Sequence, residues 1–508
     1  MRKILLPASI GALALAVTAA AQQGALQTAA TTLGVANIRS LEFTGTGQMF
    51  SVGQNYVASD PWPAVPLKNY TATLNYDTGS MRVDLVRTMG PQMPRGGGAP
   101  FTGDQRQIQF VSGDFAWNMP APAANAPAGG AAPQPAPQAA AQPERMLALW
   151  ATPHGFVKAA MANNGTSRQV RGGTEVSFTL GGKYRMVGII NGQAHVEKVQ
   201  TWIYQPIVGD LLVETTYSGY QNFGGVTFPS RIVQTQDGYP SFDLRITSVT
   251  ANPTFDATVP DNVRNAPPPA PPMVAVEKLA DGVFYLTGGS HHSLAIEMRD
   301  HIVVVDTPQN EARAAAVLAK AKETIPNKPI RYVVTSHHHW DHLGGIRTAI
   351  DEGATIVTHN SNKSFLERIA KTPHTLAPDR LAASRKAVRI MTIGDRGQLT
   401  DGTRTIELHR LQNLEHTGDL LLVYLPKEGI LAEPDAYTPP AQPTGTLIAP
   451  AVPFAKALYD HIQRNKLNVQ VINGLNGFPG VVYVCTQLGL ELLAAHYGDP
   501  MSAQGPRR

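Results

Sequence analysis

The sequence has little cysteine, little charge and no long apolar run beyond its first residues. Cys485 is the single cysteine among 508 residues, which excludes an internal disulfide framework and a cysteine-based zinc finger. Charged residues make up only 16%, and Arg2 and Lys3 contribute two units of the formal net charge of +4. Such a small surplus argues against nucleic acid or an anionic membrane as a partner. No later segment reaches the roughly 18 apolar residues of a transmembrane span.

The N-terminus has the pattern of a cleaved export signal. Two basic residues precede an apolar stretch from Ile4 to Val17, and the small residues Ala19–Ala21 provide a cleavage site before Gln22. We therefore expect a signal peptide at residues 1–21 and a soluble mature protein that is periplasmic or secreted. An uncleaved membrane anchor is the alternative.

The remaining sequence changes character at a short proline run. Before it, alternating segments such as Tyr70–Tyr76 and Phe242–Thr247 predict β-strands. Met119–Pro143 contains seven prolines, eleven alanines and no charged residue, which predicts a disordered surface insertion. The predicted order is a β-rich N-terminal domain (22–263) with a low-complexity insertion at about 92–143, a Pro-rich linker (264–274), a second domain (275–500) and a disordered tail (501–508).

After the linker, strands alternate with helical patterns. Ile302–Val305 predicts a buried strand that ends at Asp306, and the alanine-rich segment Glu311–Thr324 has helical spacing. Ile330–Val334 predicts another strand, which leads directly into a histidine cluster. Polar residues at the carboxyl end of a strand in such an order are typical of an α/β arrangement.

The histidine cluster is the most specific signal in the chain. Thirteen of the fifteen histidines follow residue 274, and Ser336–Gly345 has the sequence SHHHWDHLGG. Residues two apart at an extended strand end share a face, so His337 and His339 can point at one ion. Asp341 and His342, in the following turn, can point at a neighbouring position. The pattern predicts a metal site, and a structural histidine cluster is the alternative.

This H-x-H-x-D-H motif resembles that of the metallo-β-lactamase superfamily, and the resemblance extends over roughly residues 275–500. It implies an αββα sandwich, and hence an α+β protein of two domains. By the same resemblance, His416 in Glu415–Asp419 is the third histidine of the first metal position, and Asp435 is the bridging aspartate. Asn476 occupies the place of the family's last histidine. The second position, with Asp341, His342 and Asp435, is therefore expected to bind its ion more weakly, and use of a single ion is the alternative.

The resemblance also implies a chemistry. Three imidazoles on Zn²⁺ leave a coordination position for water, whose pKa the ion lowers toward ~7. We expect hydrolysis of an ester, lactone, thioester, lactam or phospho- or sulfo-ester in a small-molecule substrate, with Asp341 orienting the water. Asp306 resembles a carboxylate that fixes a ligand's orientation, and His291, His292 and Tyr437 are candidates for contact with substrate. The second ion could also be a divalent metal other than zinc.

The N-terminal half contains no histidine pair, phosphate loop or acidic cluster. Gly225–Arg231 followed by Phe242–Val249 is similar to periplasmic half-barrel carriers of lipids or lipoproteins, which implies a curved antiparallel sheet with an apolar ligand. A domain that merely packs against its neighbour is the alternative. The alternative for the whole protein is a catalytically impaired metal-binding or hydrophobic-ligand-binding protein.

Overall fold

The computed structural model describes residues 24–90, 94–120, 134–437 and 451–476, and the backbone of residues 482–484. The expected signal peptide at 1–21, Cys485 and the expected tail at 501–508 lie outside the described residues. Among the helices of the described segments, none is both long and apolar enough to cross a membrane.

The first half of the chain forms one antiparallel sheet of 13 strands, in the order β6-β5-β4-β3-β2-β1-β13-β12-β11-β10-β9-β8-β7. The strands are β1 (Ser40–Phe50), β2 (Ala64–Asn75), β3 (Ser80–Arg87), β4 (Gln105–Ser112), β5 (Phe115–Met119), β6 (Ala136–Pro137), β7 (Thr166–Val170), β8 (Gly173–Leu180), β9 (Tyr184–Asn191), β10 (Val196–Gln205), β11 (Gly209–Phe223), β12 (Val226–Gln236) and β13 (Tyr239–Ala251). Burial alternates along β11, so one face of the sheet covers a core.

This sheet curves around a helix. The helices of this half are α1 (residues 24–32), α2 (Gln142–Ala151), α3 (Pro153–Ala162) and α4 (Asp261–Arg264), with short 3₁₀ turns at Val35–Asn37 and Ala139–Ala141. Helix α2 contacts β3 and also β10, which lies six places away in the sheet. In a flat sheet these strands would be about 29 Å apart, far more than the roughly 10–12 Å diameter of a helix. The curvature agrees with the predicted curved antiparallel sheet.

The expected insertion at about 92–143 is wrong over most of its described length. Residues 105–119 supply β4 and β5, β6 pairs with β5, and α2 begins at Gln142. Phe110 and Trp117 stack at 4.9 Å and give these strands a small core of their own. Pro143 lies in the first turn of α2, where the missing N–H leaves no helical hydrogen bond unmade. Residues 121–133 are outside the described segments.

The second half of the chain forms two sheets, after residues 265–274, which contain neither helix nor strand. One sheet consists of β14 (Ala275–Ala280), β15 (Val283–Thr287), β16 (Ser293–Glu297), β17 (Ile302–Val305), β18 (Ile330–Val334), β19 (Thr355–His359) and β20 (Arg389–Ile393). The other consists of β21 (Arg396–Thr400), β22 (Thr405–Arg410), β23 (Leu421–Leu425), β24 (Ile430–Glu433), β25 (Val471–Gly474) and β26 (Val482–Val484). The division into two domains stays a prediction.

The two sheets pack face to face and are covered by helices on both sides. The helices are α5 (Glu311–Thr324), α6 (Trp340–Leu343), α7 (Ile346–Glu352), α8 (Lys363–Ile369), α9 (Arg380–Ser384) and α10 (Val452–Arg464), with a 3₁₀ turn at Asn360–Asn362. Along β17, Val303 and Val305 pack toward the six-stranded sheet, whereas Val304 joins the core beneath α5. Leu431 of the six-stranded sheet packs against Leu458 of α10. The layers are helix, sheet, sheet and helix, as the resemblance implied.

Candidate metal centre

The candidate residues meet at one edge of the sandwich because each follows the end of a strand. The H-x-H-x-D-H segment follows β18, and Asp435 follows β24. Asn476 follows β25, and His291 lies in the turn between β15 and β16. His416 lies in the loop that leads into β23.

The first group consists of His337, His339, His416 and Asp435. One ligand atom from each lies within 4.8 Å of those of the others. Asp435 Oδ2 is 3.0 Å from His416 Nε2 and 3.2 Å from His337 Nε2. The same oxygen is also 3.2 Å from His342 Nε2, so Asp435 lies between the histidines of this group and His342. The structure therefore brings together all four residues expected at the first position.

Hydrogen bonds fix which nitrogen of His337 carries the proton. Ser336 Oγ donates to Asp306 Oδ2 at 2.7 Å and lies 3.1 Å from His337 Nδ1. Because the hydroxyl proton is used on Asp306, Oγ accepts the Nδ1 proton of His337. His337 Nε2, which faces the site, is left with its lone pair.

His339 and His342 are oriented in the same way. His339 Nε2 donates to the backbone oxygen of Asn55 at 2.8 Å, because a carbonyl can only accept. His342 Nδ1 lies 2.9 Å from Asp306 Oδ2. The nitrogens left facing the site, His339 Nδ1 and His342 Nε2, are buried without a hydrogen-bond partner, as is Nε2 of His337. The unpartnered buried nitrogens of His337 and His339, which belong to the same group, fit a metal ion, which imidazole and carboxylate ligands bind.

In the first group, burial favours the neutral forms of His337 and His339, beside an ionised Asp435. Burial, together with the nearby His416 and His337, holds the pKa of His339 well below its usual range. Burial also lowers the pKa of His337. Burial opposes ionisation of Asp435, but the imidazoles of His342 and His416 outweigh it and hold the pKa of that carboxyl well below its usual range. Neutral histidine and ionised carboxylate are the forms that bind a metal.

The second group consists of His291, Asp341 and His342, whose ligand atoms also lie within 4.8 Å of one another. Burial lowers the pKa of His342, but Asp435 and Asp306 outweigh burial and raise it well above its usual range. Burial likewise opposes ionisation of Asp341, and a hydrogen bond from His291 overcomes it and lowers the pKa of that carboxyl. The Asp341 side chain is 34% exposed, so this group opens to solvent.

Glu433 shapes the turn that presents Asp435. Its Oε2 accepts hydrogen bonds from the backbone N–H of Ala436 at 2.7 Å and of Tyr437 at 3.1 Å. Burial raises the pKa of Glu433 to about 8. These two hydrogen bonds fix the turn after β24, so that the carboxylate of Asp435 points into the site.

The other predicted site residues lie around these two groups in different ways. Asp306 is buried and contacts His342 and the Ser336 backbone N–H, as expected of an orienting carboxylate. Asn476 Nδ2 donates to Asp435 Oδ1 at 2.7 Å. His292 belongs to neither group, since its ring packs edge-on against Tyr285. Tyr437 is partly buried against the core beneath α10.

Sequence reasoning missed a contribution from the first sheet. The β1–β2 loop (residues 51–63) reaches the site, where Gln54 Nε2 donates to Asp341 Oδ1 at 3.0 Å and Asn55 binds His339 through its carbonyl. Tyr56 accepts a hydrogen bond from the Gly418 N–H at 2.8 Å. No motif or periodicity in this loop signals the contact, which only the folded chain reveals.

Asp419 is a second residue that the sequence left without a role. It lies within the Glu415–Asp419 segment and is fully buried. His338 Nδ1 lies 2.8 Å from Asp419 Oδ1, and the His338 backbone N–H donates to Oδ2 at 3.1 Å. Asp419 therefore ties the His416 loop to the strand end that carries His337 and His339.

Residues 286–369 match the family model of the metallo-β-lactamase superfamily. No curated protein matches. Among solved structures, a metallo-β-lactamase from Pontibacter korlensis is 18% identical, with a TM-score of 0.32, over 45% of this chain and 100% of its own. DIM-1 metallo-β-lactamase is 18% identical, with a TM-score of 0.33, over 45% of this chain and 99% of its own. The match over residues 286–369 identifies a domain of the metallo-β-lactamase superfamily in the C-terminal part of the chain.

Proposed function

We propose that the protein is an exported, zinc-dependent hydrolase that acts on a small-molecule substrate. The observation that supports this proposal is that ligand atoms of four residues lie within 4.8 Å of one another, with unpartnered buried nitrogens on two of the histidines: His337, His339, His416 and Asp435. Nitrogen-rich ligand sets with one carboxylate are typical of zinc rather than of calcium or magnesium.

The side chains around the site have separate tasks in this proposal. The ion, when bound, supplies Lewis-acid activation of water and of a substrate oxygen. Asp341 is ionised, is held at both oxygens by Gln54 and His291, and is partly open to solvent, so it can orient a water molecule. Asp306 holds His342 in the orientation that keeps its Nε2 toward the site.

The substrate class is proposed as an ester, lactone, thioester, lactam or phospho- or sulfo-ester. An aspartate at the bridging position, Asp435, resembles the general hydrolases of the superfamily more than its β-lactamases. The opening beside Asp341 is where such a substrate would enter.

Metal analysis of the purified mature protein, followed by a panel of chromogenic lactams, lactones, thioesters and phosphodiesters, tests the proposal. His337→Ala should remove tight zinc binding and lower turnover by at least 100-fold, because the remaining ligands cannot close the coordination sphere. His359→Ala, a half-buried histidine outside both groups, is the matched control. Zinc and turnover that both survive in His337→Ala would refute the ligand assignment.

Export is part of the proposal and rests on residues 1–21 alone. Cell fractionation and N-terminal sequencing of the mature chain test it. We expect the mature protein outside the cytoplasm, with Gln22 as its first residue. A cytoplasmic protein that retains Met1 would contradict export and leave the metal chemistry untouched.

Binding of an apolar ligand to the first sheet is the second candidate function. A cavity of about 410 Å³ lies between this sheet and α2, and its lining includes Phe43, Leu67, Tyr70 and Ala148. Most of the lining is aromatic or aliphatic and the rest is polar, including Glu144 and Arg145, which suits an amphipathic, lipid-like ligand. Ala148→Trp should fill the cavity and abolish binding of a fluorescent fatty acid, whereas Ala162→Trp, at an exposed alanine of α3, should not. Equal binding by both variants would exclude the cavity.

A further inference from the structure

The second group of ligand atoms includes a histidine from outside the H-x-H-x-D-H segment. His291 Nε2 lies 3.3 Å from Asp341 Oδ2, and the rings of His291 and His342 are 4.9 Å apart. The His291 side chain is only 12% exposed, although it belongs to a hairpin turn. A polar ring that is held inward beside two metal-type ligands has the position of a third ligand.

Asn476 does not fill that position. Its amide nitrogen faces Asp435 Oδ1 at 2.7 Å and donates to it. An amide nitrogen carries no available lone pair, and this contact turns the side chain toward the carboxylate that it orients. The backbones of His291 and Asn476 form an isolated antiparallel bridge, which places His291 directly beside the strand end where Asn476 stands.

The surroundings of His291 can hold its ring proton on the nitrogen that faces away from Asp341. Gln309 Nε2 donates to Ser290 Oγ at 2.8 Å, and Ser290 Oγ lies 2.9 Å from His291 Nδ1. A hydroxyl oxygen has two acceptor lone pairs, so Oγ can accept from Gln309 and from Nδ1–H together. Without an ion, Nε2 shares a hydrogen bond with Asp341 Oδ2 at 3.3 Å; with the proton on Nδ1, Nε2 would instead offer its lone pair to an ion bound by Asp341. Such hydrogen bonds behind a histidine are typical of metal ligands.

Gln309 also ties the hairpin to the rest of the group. Its backbone N–H donates to the Asp341 backbone oxygen at 2.8 Å, and its φ is +68°. One residue thus positions both His291 and Asp341, and it adopts a left-handed conformation that is unfavourable for a side chain of its size.

We propose that His291 is a ligand of a second divalent ion, together with Asp341 and His342. It would replace a ligand at position 476, and Asn476 would position Asp435. This inference rests on the proposed metal-dependent function, because the second ion is of use only beside the first. Its chemical class is a zinc-type cation bound by two imidazoles and one or two carboxylates.

Titration of the metal-free full chain with Zn²⁺ against a chromophoric chelator tests the proposal. We expect two equivalents to bind to the wild-type chain. His291→Ala should weaken the second equivalent by at least tenfold and leave the first unchanged, because the residues of the first group are intact. His195→Ala, a histidine stacked on Tyr220 in the first sheet, is the matched control. Cobalt substitution adds a spectroscopic readout, since loss of one nitrogen ligand alters the absorption of the second ion only.

The outcomes separate this inference from the proposed function. If the wild-type chain binds two equivalents and His291→Ala binds both with unchanged affinity, His291 is not a ligand. A chain that binds a single equivalent also overturns the inference, while the first metal position stands. If the wild-type chain binds no zinc, the proposed function itself fails. His291→Gln repeats the measurement with a side chain of similar size, should the alanine variant not fold.

Discussion

Asp419 links two segments of the metal centre without belonging to either group of ligand atoms. Besides its bonds with His338, it accepts hydrogen bonds from Asn362 Nδ2 and Thr417 Oγ1, and it is fully buried. Burial opposes its ionisation, but His338 outweighs burial and holds the pKa of the Asp419 carboxyl below its usual range. A buried carboxylate with this many donors fixes the spacing of the loops that carry the histidines.

Asp419→Ala should therefore be strongly destabilising. The substitution leaves the buried donors of His338 and Asn362 without an acceptor, which typically costs about 3–5 kcal/mol. Chemical denaturation of the metal-free protein measures the effect. Asp395→Ala is the control, because Asp395 is an exposed partner of Arg410, and such pairs are worth about 1 kcal/mol or less. Equal losses in the two variants would contradict the role given to Asp419.

The burial of His154, in the first half of the chain, should make the free energy of unfolding depend on pH. Its ring is buried, Nε2 lies 3.0 Å from the Leu33 backbone oxygen, and burial lowers its pKa from 6.5 to about 4. Between pH 6.5 and pH 4 the unfolded chain therefore binds more protons at His154 than the folded chain does. As far as His154 determines it, the free energy of unfolding is highest above pH 6.5 and decreases as pH falls toward 4. From pH 7 to pH 5 the loss should be about 2 kcal/mol.

Urea unfolding of the metal-free protein at pH 7 and pH 5 measures this loss. His154→Gln keeps a donor toward Leu33 and cannot titrate, so its stability should change less between the two pH values than that of the wild type. An identical pH dependence in both proteins would show that His154 does not titrate as its burial implies.

The sequence predicted the residues of the first metal group better than those of the second. Imidazoles at spacing two after a strand share a face by backbone geometry, so His337 and His339 could be paired without a structure. The contact of His291 with Asp341 depends on how a hairpin turn folds back over the strand ends. A side-chain contact across 50 residues leaves no local periodicity, and the sequence could offer His291 only as a candidate for contact with substrate.

Helices and strands with strong local sequence signals have the predicted bounds, whereas segments held by long-range contacts were not predicted. Helix α5 has the predicted bounds, because Asn310 caps its first turn through a hydrogen bond from the Arg313 N–H and alanines fill its interior. Strands β17 and β18 also have the predicted bounds. Strand β17 is a continuous apolar run, which suits a sheet buried on both faces, whereas β18 includes the exposed Arg331. The prediction from composition was wrong between β5 and α2. The abundant alanine and proline suggested disorder there, but the described residues at both ends of this stretch are packed.

The β1–β2 loop has a glycine where it meets the metal centre. Gly53 has a φ of +76°, and a Cβ added there would lie 2.4 Å from the ring of Trp340. Its carbonyl accepts a hydrogen bond from the Trp340 N–H at 3.2 Å, and Trp62 packs edge-on against the same ring. Any side chain at position 53 must therefore push the loop away from the segment that carries His339.

Gly53→Ala should weaken the first zinc ion by about tenfold, since displacement of the loop removes the Asn55 carbonyl that orients His339. Gly182→Ala is the matched control, because Gly182 also has a positive φ, of +67°, but no heavy atom lies within 4 Å of an added Cβ. The control should lose only about 1 kcal/mol of stability and keep its zinc affinity. Equal zinc affinities in the two variants would mean that the loop does not support the site.

Both halves of the chain, the first sheet and the sandwich, contribute residues to the surroundings of the metal centre. Besides the β1–β2 loop, the Gly96 N–H of the first sheet's loops donates to the Glu415 backbone oxygen at 2.7 Å, next to His416. Arg95 pairs with the Glu415 carboxylate at 3.0 Å and lies 3.8 Å from the centre of the Tyr56 ring. The first half of the chain thus contacts both loops that supply histidines, and the site is complete only with both halves in place.

Metal binding should therefore stabilise segments on both sides of the proline-rich linker. Zinc at 100 times its dissociation constant adds about 2.7 kcal/mol to the bound state, and opening of the β1–β2 loop should become rarer because His339 is then held from both sides. Hydrogen exchange of the full chain, with zinc and with a chelator, should show slower exchange at residues 336–342 and also at 51–63. The turn at residues 181–183, distant in the sheet order from β1 and β2, should exchange at the same rate in both conditions. Protection that is confined to residues after 275 would show that the first sheet is a neighbour of the site and not a part of it.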